Sequence, residues 1–131
     1  MILSYYFLDL DDCDAAGHEH GWFTSPYLQQ VQLADQRIGK ILDFLEKKNW
    51  MKDTLILIVT DHGGGGGNLY DHGVNHPKDM TIFFACCGPF VKHCQLSSFY
   101  LADIPAIILY AFDIPQPDGW KGKVPIEIQE S

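Results

Sequence analysis

Thr54-Leu55-Ile56-Leu57-Ile58-Val59-Thr60 runs without a charged break into Asp61-His62-Gly63, and four more glycines follow, Gly64 to Gly67. The apolar residues are continuous rather than alternating, the pattern of a strand covered on both faces, and the Asp-His pair stands at its carboxyl end. Upstream, Ser25-Pro26 reads as a helix start, with Ser25 as N-cap and Pro26 at the first helical position. Tyr27, Val31, Ala34, Ile38, Ile41, Leu42 and Leu45 then recur at helical spacing, and Lys47 and Lys48 fall in the last turn, where the helix dipole favours cations. This predicts an amphipathic helix of about six turns. Further upstream, Leu3 to Leu10 is an apolar and aromatic run ending in acids, and reads as a buried strand. Strand, helix, strand in that order predicts a right-handed crossover in a parallel sheet, hence an α/β fold.

Outward from this unit the chain is less regular. Asp11 to Thr24 reads as a loop, as does the stretch from the glycines through Asn75 and Pro77. Met80 to Cys86 is a third strand candidate, broken at Gly88-Pro89. A second helix is expected from near Asp103, with Pro105 tolerated in its first turn, and Val124, Ile126 and Ile128 alternate as an edge strand. No internal repeat or linker divides the 131 residues, so a single α/β unit over 1–131 is expected.

Nine Lys and Arg stand against 17 Asp and Glu, a formal charge of −8, which excludes a basic nucleic-acid-binding surface. No apolar run approaches the roughly 20 residues of a membrane span, and the opening residues lack the basic region of a secretion signal. A domain of this length buries roughly two thirds of its unfolded surface, so it folds without disulfides. The four cysteines, Cys13, Cys86, Cys87 and Cys94, match no metal spacing and are expected to be buried, reduced thiols.

Three polar clusters fall where an open α/β sheet places its ligands, beyond the carboxyl ends of strands. They are Asp11-Asp12-Cys13-Asp14-Ala15-Ala16-Gly17-His18-Glu19-His20, then Asp61-His62-Gly63, then Tyr70-Asp71-His72-Gly73-Val74-Asn75-His76. Five of the six histidines lie in them, and only His93 is elsewhere. Asp14 and His18 are four apart with small residues between, so one turn of chain brings both to the same side of an ion. Asp61 and His62 are adjacent, and the glycine run lets the backbone turn so that both serve one place. Each piece has an ordinary reading alone: a capped turn, a turn opener, a surface-loop histidine at His72, a flexible glycine loop. Together, on successive strand ends, they have the composition of a divalent metal site, with His20 and His76 solvated or outside it.

In order, Asp14-Ala15-Ala16-Gly17-His18-Glu19-His20-Gly21, Tyr27 with Ala34-Asp35 and Ile38-Gly39, Asp53-Thr54 leading to Val59-Thr60-Asp61-His62-Gly63, His72-Gly73, Gly88-Pro89, Asp103-Ile104-Pro105, Ile114-Pro115 and Trp120-Lys121-Gly122 resemble the alkaline phosphatase superfamily. The likeness is greatest to its nucleotide pyrophosphatase/phosphodiesterase branch and covers nearly the whole chain. It implies a layered α/β/α fold with a mainly parallel central sheet, incomplete in this chain. It implies two divalent ions, zinc in the first place with manganese or calcium as alternatives: Asp14, His18 and His72 hold one, and Asp61 and His62 belong to the other. The family's Ser or Thr nucleophile and a further aspartate lie on the amino-terminal side of these motifs, and nothing here matches them. The resemblance therefore implies the carboxyl-terminal half of a two-metal hydrolase that cleaves phosphodiester or nucleotide pyrophosphate bonds in a small-molecule phosphoester. Bound cations would invert the local effect of the acidic charge. Such a half-sheet would expose a strand edge through which copies associate. Sulfatases and cofactor-independent phosphoglycerate mutases share the Asp-His element and define a second reading, and a non-catalytic metal-binding descendant a third.

Overall fold

In the computed structural model of the chain, residues 4–89, 91–92 and 95–129 are described. In chain order the elements are helix α1 (Asp12–His20), helix α2 (Ser25–Lys47), a single 3-10 turn at Met51–Asp53, strand β1 (Ile56–Val59), the one-turn helix α3 (Pro77–Met80), strand β2 (Phe84–Cys87) and helix α4 (Asp103–Ala111). None of the described helices is long and apolar enough to cross a membrane. The chain gathers into two compact units, one of residues 5–51 and 59–83, the other of Met1–Ser4, Lys52–Ile58 and Phe84–Ser131.

In the first unit α1 packs against α2. The sequence reads Asp11 to Thr24 as a loop, but Asp12–His20 is helical. Its first turn carries Asp12 and Asp14, its last turn His18 and His20, and Ala15 and Ala16 are strong helix formers. Gly21 ends it at φ +87°, a conformation costly for any residue with a Cβ, and its N–H donates to Gly17 O at 2.8 Å. The long helix α2 begins at Ser25 with Pro26 in its first turn, so Thr24, not Ser25, is the cap. It closes in a Schellman turn: Asn49, at φ +57°, donates to Glu46 O, and Trp50 N–H donates to Leu45 O at 2.9 Å. Arg37 of α2 pairs with Asp12 of α1. The expected apolar face of α2 is only half covered: Val31 and Ile41 are exposed.

The second unit holds most of β1, together with β2 and α4. The parallel crossover sheet is not what forms: β1 and β2 are neighbours in a two-stranded antiparallel sheet. Residues 4–10 lie in no strand and are largely exposed, with Tyr6 and Phe7 at 85% and 75%, and residues 1–3 are outside the described stretch. An apolar run becomes a strand only where neighbouring strands take up its N–H and C=O groups, and no described strand does so there. Ile56, Leu57 and Ile58 are half-buried, and Val59 is exposed, so β1 is less covered than its composition suggests. The Met80 strand begins four residues late, because Pro77–Met80 forms α3. The expected edge strand from Val124 to Ile128 does not form; Pro125 has no N–H for a ladder, and residues 125–128 make a turn in which Ile128 N–H donates to Pro125 O at 2.9 Å. Of the expected buried thiols, Cys13 and Cys86 are half-buried and Cys87 is exposed, while Cys94 and His93 fall outside the described residues.

The α4 prediction is met, with Pro105 in the first turn. Ala106, Ile107 and Ile128 are the apolar side chains most removed from water in this unit. Asp103, also buried, accepts from Tyr100 N–H at 2.9 Å and from Lys123 N–H at 2.8 Å, tying the carboxyl-terminal segment to the start of α4. Gly122 passes so close to the Ala102 carbonyl that a Cβ there would overlap it.

Candidate metal centre

The site lies wholly within the α1/α2 unit. One turn of α1 sets His18 beside Asp14, with Nε2 at 3.5 Å from Oδ2. The loops after β1 bring two more imidazoles to the other carboxylate oxygen: Nε2 of His72 is 3.6 Å and Nε2 of His62 is 3.8 Å from Asp14 Oδ1. Ligand atoms of Asp14, His18 and His72 all lie within 4.8 Å of one another. Asp14 Oδ1 is buried and has no hydrogen-bond partner among the described residues, a state that costs about 1–3 kcal/mol unless something compensates the oxygen.

The rings are oriented from behind. His18 Nδ1 is 2.9 Å from Tyr70 O, and His62 Nδ1 is 2.7 Å from Gly63 O. A carbonyl only accepts, so each Nδ1 carries a proton, and Nε2 is the ring nitrogen that faces Asp14. His62 and His72 stack at 3.7 Å between centroids, 16° apart. Of the five predicted ligands, the fold draws Asp14, His18, His62 and His72 together. It leaves Asp61 apart: its side chain is 84% exposed, Oδ1 accepts from His62 N–H at 3.0 Å, and Oδ2 is 3.5 Å from His62 Nε2.

The loops that deliver His62 and His72 are held by a residue the sequence reading passes over. Asp79 is 2% exposed; Oδ1 accepts from Gly66 N–H at 2.8 Å, Oδ2 from Val74 N–H at 3.1 Å, and its carbonyl accepts from Gly63 N–H at 2.8 Å. One carboxylate thus pins both the glycine run and the segment after His72. Asp71 Oδ1 adds a bond from His72 N–H at 2.8 Å, and His76 caps α3 by accepting from Lys78 N–H at 3.1 Å.

Trp22 is the second such residue. It is 4% exposed, its backbone N–H donates to Leu69 O at 2.9 Å, and its ring meets His18 at 5.0 Å and His72 at 5.7 Å, edge to face in both cases. The glycines make room for it: a Cβ on Gly17 would come to 2.5 Å of the indole, and one on Gly64 would overlap it. The signal was a tryptophan directly after the acid-histidine motif, facing two glycine-bearing segments. Nearby, burial pushes the Tyr27 phenol up, with the negative charges of Cys13 and Asp14 adding to it. Burial likewise pushes the Cys13 thiol up, Asp12 adding and Arg37 opposing.

The family model for type I phosphodiesterase / nucleotide pyrophosphatase matches residues 2–81. The chain belongs to this family, the phosphodiesterase branch of the alkaline phosphatase superfamily. GPI ethanolamine phosphate transferase 1 of Saccharomyces cerevisiae is 26% identical over 141 residues, 92% of this chain and 15% of that protein. The protein of the same name from Gibberella zeae is 23% identical, over 92% of this chain and 14% of its own length. Ectonucleotide pyrophosphatase/phosphodiesterase family member 1 of Mus musculus is 30% identical over 59 residues, 45% of this chain and 6% of its own. The chain thus spans a small part of the curated relatives it matches. No solved structure matches it.

Proposed function

We propose that this chain is the metal-holding part of a catalytic domain that breaks or transfers phosphoester bonds. The observation that carries the reading is Asp14 Oδ1, buried without a hydrogen-bond partner among the described residues and faced by imidazole nitrogens. A carboxylate with neutral histidines is the donor set of a borderline divalent cation, zinc above all. In this reading Asp14, His18 and His72 hold one ion, and Asp61 and His62 face a second. The exposure of Asp61 fits a position that other residues complete. When bound, such ions polarise a phosphoryl oxygen and lower the pKa of an oxygen nucleophile. The residues present do the rest: Tyr70 O and Gly63 O keep Nε2 of His18 and His62 free to ligate, and Asp14 contributes negative charge between the rings. The nucleophilic Ser or Thr is carried outside the motifs of this chain, which completes one layered α/β/α domain with the part that bears it.

Zinc per mole of purified chain, measured by elemental mass spectrometry beside His72→Ala, tests this. The expected result is about one tightly held ion, lost in the variant. Zinc uptake that is the same without His72 and without His18 would overturn the ligand assignment.

Phosphoethanolamine transfer is the second reading, favoured because the two transferases named above align over 92% of the chain while the pyrophosphatase aligns over 45%. In the complete catalytic domain, hydrolysis of a nucleotide diester against transfer of ethanolamine phosphate to a GPI acceptor separates the two. A sulfate ester in the same assay tests the sulfatase-like alternative.

A further inference from the structure

The rings of the three histidines around Asp14 are not fixed in the same way. His18 and His62 each have a backbone carbonyl behind Nδ1, at 2.9 and 2.7 Å. His72 has none among the described residues; only its backbone N–H is bonded, to Asp71. Apart from Asp14 Oδ1, 3.6 Å from Nε2, what touches its ring is aromatic: His62 stacked at 3.7 Å, His18 tilted at 5.1 Å, and the Trp22 indole edge to face at 5.7 Å. His62 and His18 are themselves candidate ligands. Trp22 is therefore the one non-ligating side chain shown against the His72 ring, and it also meets His18 at 5.0 Å with an 85° interplanar angle. It cannot easily yield: it is 4% exposed, its main chain is tied to Leu69 O, and its ring is seated on Gly17 and Gly64.

We infer that Trp22 is a positioning residue for metal binding, the indole orienting His72, and secondarily His18, where other ligating histidines rely on a carbonyl. The inference rests on the proposed metal reading. Rings held edge to face lose rotational freedom before the ion arrives, so affinity depends on a residue that donates nothing to it.

The test is titration of the chain with cobalt(II) and with zinc, following the visible absorption of bound cobalt, for the unmutated chain, Trp22→Leu and Trp22→Phe. Trp22→Leu is expected to weaken both metals by about 10- to 100-fold and to shift the cobalt bands. Trp22→Phe, which keeps an aromatic edge, should recover most of the affinity and the original bands. A merely structural tryptophan would lower stability in both variants without moving the bands. Cobalt should also quench the blue edge of tryptophan emission in the unmutated chain, since Trp22 is buried while Trp50 and Trp120 are 52% and 46% exposed. Unchanged affinity and spectrum in folded Trp22→Leu overturns the inference, and so does cobalt binding that leaves the blue edge unquenched. If Trp22→Leu does not fold, the quenching and the Trp22→Phe spectrum decide. A chain that takes up neither metal refutes the metal reading itself, and the inference with it.

Discussion

Asp79 and Asp14 lie in the same unit and end in opposite conditions. Asp79 is almost entirely out of water and both its oxygens are used, holding Gly66 and Val74 N–H groups. Asp14 is less buried as a residue, yet its Oδ1 is shut away with no donor among the described residues. A carboxylate wholly satisfied by the main chain is architecture. One that is buried, bare and ringed by imidazoles is a place for a cation, because the fold bears its desolvation without returning a hydrogen bond. Both are aspartates of short helices, Asp14 in α1 and Asp79 in α3, and their partners tell them apart.

The sharpest way to break the comparison is to remove Asp79. Asp79→Ala strands two part-buried N–H donors and releases the loops carrying His62 and His72, and is expected to cost about 3 kcal/mol in urea denaturation of the metal-free chain. A loss no larger than a surface substitution would contradict its role. Asp14→Asn should do the reverse: without metal it changes stability by no more than about 0.5 kcal/mol. At free zinc near 100 times the dissociation constant, however, it forfeits the roughly 2.7 kcal/mol that zinc adds to the unmutated chain, read as a lost thermal shift. A third contrast concerns two helical glycines. Gly17→Ala drives a methyl to 2.5 Å of Trp22 and should destabilise by about 1–3 kcal/mol. Gly39→Ala in α2 meets nothing within 4 Å and should stabilise by about 0.5–1 kcal/mol. If both alanines act alike, Trp22 is not the constraint.

Much of the site was legible because its logic is local. The four-residue step from Asp14 to His18 becomes a helical turn, and strand-end loops converge whatever their detailed path. Helices α2 and α4 were legible for the same reason: proline in the first turn and apolar residues at helical spacing are short-range information. Sheet pairing is not. Leu3 to Leu10 has a strand's composition, but strands need neighbours, and the pairing that formed, β1 with β2, runs opposite to the expected one. Asp12–His20 looked like a loop because small and charged residues suit both turns and helices, and its contact with α2 settles the matter. Asp79 and Trp22 were hidden more thoroughly. Composition marks an aspartate as surface and a tryptophan as core, and neither label says which loops a side chain binds together.

Two of the three imidazoles around Asp14 are steered by peptide oxygens, Tyr70 O and Gly63 O. A main-chain oxygen survives every side-chain replacement at its own position. Tyr70, with its exposed ring, can therefore drift in sequence while the ring set of His18 is inherited unchanged. Gly63 has no such liberty, since a Cβ there would overlap the Lys78 carbonyl. The orientation of His18 is mutationally robust, whereas that of His62 hangs on the absence of a side chain at Gly63, and that of His72 on neighbouring rings that substitution can remove.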